Sequence, residues 1–538
     1  MENSADKQSH FKAKIRDLSE SYYDLIYEVG STIWEYAELS RQEYKSSAFL
    51  TQLLEEKHFE VVRGVGGYPT SFVGTFKQGE GGPVIGLLCE YDALPKLFDE
   101  MGIQNGHGCG HNLFAAGAIG TAAVLKEFIQ SENISATIKV FGTPSEEEHG
   151  SKPYFVKQGI FDGVDCFMGF HPLEFNGVLY SQHNAISSRD YHFYGKSAHA
   201  GAEPELGVSA LDAVEIMNVA VNYLREHVTS DVRIHYIITN GGERANIVPA
   251  YASSNYAIRA QELETLEKVI ERIDTIAKGV AMAVGCRVEI GEGETFANTI
   301  LNRPLAEIGY ANMIAMGGPK FTEIEQSIVK NMGFKSGLLE DIQPLKSEQG
   351  VYTASTDEGD VSWQGPWIRI CMTCLADGTP GHSHFVTKQA NLSSAYKGTL
   401  QTVKVCSGTL VDLLTNPDEM KRVKEDYQRR MIGKVYKRDK RITPSYDIFP
   451  DMPGAVCVDS DKIKFIIDEL IILPNYRSKI IRIYLEHKLL GFVDLAEVGS
   501  EVVVLLDQKV KKGEVLVVKY CERVEREETL LGYIQHCL

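Results

Sequence analysis

Pro83-Val84-Ile85-Gly86-Leu87-Leu88-Cys89-Glu90-Tyr91-Asp92-Ala93-Leu94-Pro95 is the stretch that decides the fold. From Val84 to Cys89 there is no polar residue and no alternation. Such a run reads as a strand buried on both faces, the kind found inside parallel sheets. It ends in an acidic turn closed by proline. Downstream, Asn112 to Leu125 reads as an Ala/Gly-rich apolar helix. Ala136 to Phe141 and Val164 to Phe170 read as further strands. Upstream, residues 11–58 read as two amphipathic helices with Tyr22, Leu25, Ile26, Ile33, Trp34, Phe49 and Leu53 on their apolar faces. Strand and helix alternation predicts an α/β domain, a mostly parallel sheet flanked by helices.

The pattern changes near Ser187. Arg189 to Tyr194, Arg233 to Ile238 and Tyr251 to Arg259 alternate like half-exposed strands, with helices at 209–225 and 263–284 and a last strand at 287–290. This β-α-β-β-α-β order predicts an inserted ferredoxin-like α+β domain. The first style then resumes, with a strand at 368–374 and a helix at 390–414. The expected division is 12–186 and 301–420 for an interrupted catalytic domain, 187–300 for the insert, and 421–538 for a linker plus an extra β-rich module. Lys421 to Arg441 reads as a solvated helix and linker. In the module, 480–485, 501–506 and 515–520 are strand-like, with a turn at Lys511-Lys512-Gly513.

A chain of 538 residues exceeds one hydrophobic core, which agrees with several domains. The 43% hydrophobic and 24% charged residues are ordinary for a globular protein. A formal charge of −18 argues against a nucleic-acid binder. No run of about 18 apolar residues suggests a membrane span. The polar start MENSADKQSH lacks a secretory apolar stretch, so a cytoplasmic location is expected. The ten Cys are scattered, mostly in apolar stretches, as buried reduced thiols are. Cys371 and Cys374 form a C-x-x-C pair with no second pair beside it, and read as packing residues.

In open α/β sheets, ligands bind beyond the carboxyl ends of strands. Those ends carry Glu90-Tyr91-Asp92, Ser145-Glu146-Glu147-Glu148-His149, His171-Pro172 and Gly381-His382-Ser383-His384. The helix at 112 is preceded by Cys109-Gly110-His111. Each alone is weak: a lone thiol is usually buried, and a glutamate run is usually solvated. Together they place His, Cys and carboxylates at one edge, as a divalent-metal site requires.

The motifs Cys89-EYDALP-Lys96, Gly106-HGCGHN-Leu113, Gly142-TPSEEE-His149, Gly169-FHP-Leu173, Gly195-KSAHAGAEPELGVSALDA-Val214, Thr239-NGGERANIVPA-Tyr251, Ser355-TDEGDVSW-Gln364 and Gly381-His-Ser383 occur in this order. With them the chain resembles the metal-dependent amidohydrolases of the aminoacylase and glutamate-carboxypeptidase superfamily. The likeness spans about residues 15–415 and is strongest to the aminobenzoyl-glutamate hydrolases and β-alanyl-lysine-type dipeptidases.

The resemblance implies a two-metal site (Zn or Mn, with Co an alternative) held by Cys109, His111, Glu147, His171 and His382. It implies Glu146 as general base and Asp92 as a supporting carboxylate. Glu90 stands where many members have a ligand His, a departure that goes with the Cys ligand. His384 in place of His382, and Glu148 in place of Glu147, stay open. His199, on the insert, matches a histidine that reaches an active site, often across a dimer. Asn246, Arg244 and Arg259 match or suit substrate contacts, although Arg259 could equally be an outward strand charge. Two cations about 3.5–4 Å apart can share and acidify one water, whose proton Glu146 would take as it attacks an amide.

The expected activity is hydrolysis of an N-acyl amino acid, a dipeptide or an aminobenzoyl-glutamate-like conjugate, by a homodimer or higher homo-oligomer formed through the insert. The alternative is a noncatalytic metal-binding scaffold on the same fold. Residues 421–538 lie outside the resemblance and read as a structural or protein-binding module.

Overall fold

The computed structural model describes residues 4–99, 102–291 and 294–436, and beyond these only six strands. The chain forms two compact units, Met1–Ile442 and Thr443–Leu538.

The first unit is built on a seven-stranded sheet. Its order is Glu60–Arg63, Phe72–Gln78, Ala136–Gly142, Val84–Cys89, Cys166–Leu173, Trp367–Thr373 and Gly177–Val178. The four strands from Ala136–Gly142 to Trp367–Thr373 run parallel, and the edges are antiparallel. The sheet is therefore mixed around a parallel centre. Val84–Cys89 lies inside that centre, as its unbroken apolar run requires.

The helix His111–Ser131 packs on the sheet with nearly every residue buried. Length and composition alone would let it cross a membrane, yet its apolar surface is spent on the core. Its glycines let neighbours approach closely: a Cβ at Gly117 would meet the Phe170 ring at 2.9 Å, and one at Gly120 would meet Ile26 and Val403 at 2.9 Å. The amino-terminal region holds three helices, Ser4–Ser21, Tyr23–Tyr36 and Tyr44–Glu56, where the sequence suggested two. A hairpin, Leu94–Asp99 with Gly102–Gly106, joins the Asp92 turn to the Cys109 loop.

The inserted sheet has the order Arg233–Asn240, Tyr251–Ala260, Ala185–Tyr194 and Arg287–Ile290, all antiparallel, with Glu294–Phe296 also on Ala185–Tyr194. The helices Ala210–Leu224 and Leu263–Val284 share a separate core with it, including Tyr191, Tyr256, Met217 and Ile273. This is the ferredoxin-like arrangement.

The helix expected from 421 is present as Pro417–Met431, charged and exposed on its outer side, and it also packs against the rest of the first unit. Positions 437–441 of the expected linker lie outside the described residues. Met420 and Val423 are buried, Asn302 donates to the Val423 carbonyl, and the Tyr427 hydroxyl donates to the Trp363 carbonyl. Its inward residues are few and its outward face is heavily charged, so composition hid its amphipathicity.

The second unit contains a four-stranded antiparallel sheet, Asp451–Val456, Leu516–Tyr520, Lys479–Leu485 and Lys488–Leu495. Lys462–Ile466 pairs with Glu501–Leu505. The β-rich reading holds for these strands. The suggested turn at 511–513 and Cys457, Cys521 and Cys537 lie outside the described residues. The other seven cysteines are free thiols.

Candidate metal centre

Cys109 and His111 bracket the start of the helix His111–Ser131. Gly110 between them has φ +79°, and a Cβ there would stand 2.6 Å from Pro172 Cγ. Only glycine turns the chain so that both side chains face the same point.

Two histidines have their tautomers set by neighbours. His111 Nδ1 donates to Asp92 Oδ1 at 2.9 Å, and His171 Nδ1 donates to the Pro172 carbonyl at 3.0 Å. Each therefore leaves its Nε2 for a metal ion. His171 Nε2 lies 3.5 Å from Cys109 Sγ, and His111 Nε2 lies 3.9 Å from Glu147 Oε1. His382 Nε2 lies 3.5 Å from Glu147 Oε2. His382 takes a positive φ of 53°, and its N–H donates to the Gly108 carbonyl, tying its loop to the Cys109 loop.

The ligand atoms of Cys109, His111 and His171 fall within 4.8 Å of one another. So do those of Cys109, Glu147 and His382, and those of His111, Glu146 and Glu147. His384 opens a short helix with its ring against Phe385, and Glu148 is exposed; neither joins these groups. His111 Nε2 and Glu147 Oε1 are buried without a hydrogen-bond partner. Two orphaned polar atoms beside a thiol and a second imidazole fit divalent cations and little else.

In the metal-free chain these groups hold protons. Burial opposes the His111 charge, yet Cys109 and Asp92 raise it well above the usual imidazole value, so its Nε2 is protonated. Burial, reinforced by the Glu146 and Asp92 carboxylates, pushes Glu147 up to about 8. Burial also pushes the Cys109 thiol up to about 12, so it is no free nucleophile at neutral pH. His171 is held well below its usual value by burial and by Arg369, which keeps it neutral. Burial alone would raise Asp92, but His111, the Glu147 N–H and the Ser40 hydroxyl outweigh it and hold the carboxyl at about 2.

Behind the cluster lies a buried charge network whose roles the sequence did not reveal. The Lys152 ammonium, 0% exposed, is 2.7 Å from Glu90 Oε1 and also pairs with Asp357. Burial opposes its charge, yet Asp357, Glu90 and Glu146 overcome this and raise its pKa. Glu90 Oε2 reaches to 3.4 Å from His111 Nε2. Glu90, Glu146 and Asp357 form a fourth acidic group around the Lys152 ammonium. Arg369 pairs with Glu358 at 2.7 Å. A signal existed for Arg369: an arginine inside an apolar central strand needs a buried counter-charge. None marked Lys152, or Glu43, which accepts from the Ser145 N–H at 2.8 Å and holds that residue at φ +63° just before Glu146.

The insert's predicted residues are not brought to the cluster. His199, Arg244 and Asn246 are exposed, and no hydrogen bond or ion pair joins them to it among the described residues. His199 Nδ1 accepts from the Gly201 and Ala202 N–H groups at 3.2 and 3.1 Å, so its Nε2 carries the proton. Arg259 does cross over. Its Nη1 donates to Ser355 Oγ at 2.9 Å, and no carboxylate pairs with it among the described residues.

Comparisons with known proteins fit this geometry. Residues 182–283 match a peptidase dimerisation domain. The chain is 32% identical over 473 residues to a p-aminobenzoyl-glutamate hydrolase component of Escherichia coli, covering 80% of this chain and 98% of that protein. It is 29% identical to an Xaa-Arg dipeptidase of Mus musculus, covering 75% and 89%. Its fold is similar to an aminobenzoyl-glutamate utilization protein of Klebsiella pneumoniae (16% identity, TM-score 0.53, covering 72% and 97%). It is also similar to a dinuclear metal-binding M20 peptidase of Bacillus subtilis (17% identity, TM-score 0.50, covering 73% and 99%). Matched in sequence along almost the whole of a curated hydrolase, and carrying the dimerisation domain inside a fold that gathers metal-ligand side chains at one sheet edge, the chain belongs to the M20 family of metal-dependent peptidases and amidohydrolases.

Proposed function

We propose that the protein hydrolyses the amide bond of a dipeptide, an N-acyl amino acid or an aminobenzoyl-glutamate-like conjugate at a two-metal site. The observation that carries this reading is the convergence of Cys109, His111, Glu147, His171 and His382 around two orphaned buried polar atoms. These five residues would hold the ions, Zn or Mn being best suited and Co acceptable. When bound, the metals supply the Lewis acidity that acidifies water and polarises the carbonyl.

The remaining chemistry belongs to the chain. Glu146 takes the proton of the attacking water and delivers it to the leaving amine. Asp92 holds the His111 ring in the tautomer that faces the site. His199, with its proton on Nε2, suits donation to the developing oxyanion, which requires closure of the insert or a second copy of the chain. Arg259 is half-buried without an acidic partner and fits a substrate carboxylate, with Arg244 and Asn246 as further contacts on the insert. The relatives' names, an aminobenzoyl-glutamate hydrolase and an Xaa-Arg dipeptidase, support substrates with a free carboxylate.

A homodimer is proposed through the insert. Arg233–Asn240 is an edge strand exposing Ile237 and Ile238, and the helix Ala210–Leu224 exposes Ile216, Val219 and Tyr223. An unpaired apolar edge of this kind suits a second copy.

The test is Glu146→Gln with metal analysis and a panel of p-aminobenzoyl-glutamate, Xaa-Arg dipeptides and N-acyl amino acids. The expected result is loss of nearly all hydrolysis with both metals retained. Loss of metal along with activity would make Glu146 a ligand and place the base elsewhere. No hydrolysis by the native chain with Zn, Mn or Co would favour the scaffold reading.

A further inference from the structure

We infer that Thr356 is a positioning residue for the general base, and that Arg369 and Glu358 fix its hydroxyl for that task. This rests on the reading of Glu146 as the base.

A threonine hydroxyl has one hydrogen to give and two acceptor positions. At Thr356, which is 4% exposed, both acceptor positions are filled. Arg369 Nη2 donates to Oγ1 at 3.2 Å, and the Glu358 N–H donates to it at 3.3 Å. The single hydrogen is left for Glu146 Oε1, at 2.9 Å. No other hydrogen bond to Glu146 is made among the described residues. The base is thus anchored through one oxygen, and Oε2 is left to accept a proton.

The hydroxyl has no freedom because Arg369 has none. Its Nε donates to Glu358 Oε2 at 2.8 Å, its Nη2 lies 2.7 Å from the same oxygen, and it is 6% exposed. Space for Glu358 comes from the adjacent strand. A Cβ at Gly169, the register partner of Arg369, would stand 2.5 Å from Glu358 Oε1. Gly169 therefore admits the carboxylate that orients the guanidinium that orients the hydroxyl. Thr356 is also one residue from Ser355, the hydrogen-bond partner of Arg259 on the insert. The insert thus touches the loop that carries Thr356.

The side chain's hydroxyl, and not its bulk, carries the effect, and two variants separate them. Thr356→Val keeps the shape and removes the hydroxyl; Thr356→Ser keeps the hydroxyl and removes a methyl. In the metal-loaded full chain, assayed with the substrate panel above, Thr356→Val should lower kcat about 10- to 100-fold, the range for removing a hydrogen-bond partner that orients a metal-site residue. KM and metal content should stay within about twofold, and Thr356→Ser should recover most of the rate. If Thr356→Val does not fold, Thr356→Ala against Thr356→Ser makes the same comparison.

Full turnover without the hydroxyl, while Glu146→Gln is inactive, would overturn the inference and leave the base reading intact. A serine variant as slow as the valine one, or a rate loss that tracks metal loss, would also overturn it by making the role structural. Activity in Glu146→Gln, or no hydrolysis of any panel member, would remove the base reading and this inference together.

Discussion

The two halves of the proposed site are built in opposite ways. At the sheet edge, Lys152 is buried with Glu90 and Asp357, and Arg369 with Glu358, so the side chains they hold are fixed before any substrate arrives. On the insert, His199, Arg244 and Asn246 stand in solvent. The difference teaches where each half gets its precision. Buried charges cost so much to isolate that each must be matched, and the matching makes the sheet edge rigid. The insert gains its precision only by closing or by dimerising. Arg259, bonded to Ser355, is one of several contacts between the two halves, beside the contact of His149 with Glu294 and the bond from the Ala297 N–H to Asp360.

The comparison is broken most severely at Lys152. Lys152→Met would leave Glu90 and Asp357 buried without their cation, and a loss of about 3–5 kcal/mol is expected in denaturant unfolding. A change within experimental error would mean the network is not the frame of the site. Next is His199→Ala, which should cut turnover about 100-fold, the cost of one oxyanion donor, while metal content and unfolding midpoint stay unchanged. Unaltered turnover would remove His199 from the chemistry and make the insert a dimerisation element only.

The smallest effect concerns pH. Glu147 and Glu43 are both pushed up to about 8, well above the ordinary carboxylate value of 4.5, chiefly through burial. Between those values these two folded carboxyls hold protons that the unfolded chain has released, so their contribution to stability falls as pH rises through that window. Burial keeps His107, His149, His171 and His183 below their usual range, which works the other way between pH 6 and pH 8, so the carboxylates are read by difference. The Tm of the metal-stripped Glu43→Gln variant should fall less, or rise more, from pH 6 to pH 8 than that of the parent chain, and identical profiles would contradict the buried-carboxylate account.

The legible parts of the molecule were those with a local pattern. Val84–Cys89 declared itself by an unbroken apolar run, and the insert by the alternation and order of its elements. The clusters at 90–92, 109–111, 146–149, 171 and 382–384 stood out because they follow strands or open a helix, where ligands gather in such sheets, and the resemblance then singled out Cys109, His111, Glu146, Glu147, His171 and His382 among them. The helix Pro417–Met431 was legible as a helix, but its packed side was not, because Met420, Val423 and Tyr427 are too few to colour its composition. Lys152 gave no warning, since a lysine in Gly150-Ser151-Lys152-Pro153 looks like any surface charge. Its burial depends on Glu90 and Asp357, which lie 62 and 205 positions away.

The α/β architecture, the insertion and the gathering of His, Cys and carboxylates at strand ends were readable along the chain, because periodicity and motif spacing are local properties. Which polar residues are sealed together became visible only in the folded molecule. It alone showed that Thr356 gives its one hydrogen to Glu146 and that Gly169 makes room for Glu358. Those relations join strands and loops distant in the chain, and burial, the condition that gives a hydrogen bond or charge its leverage, exists only once the chain has folded.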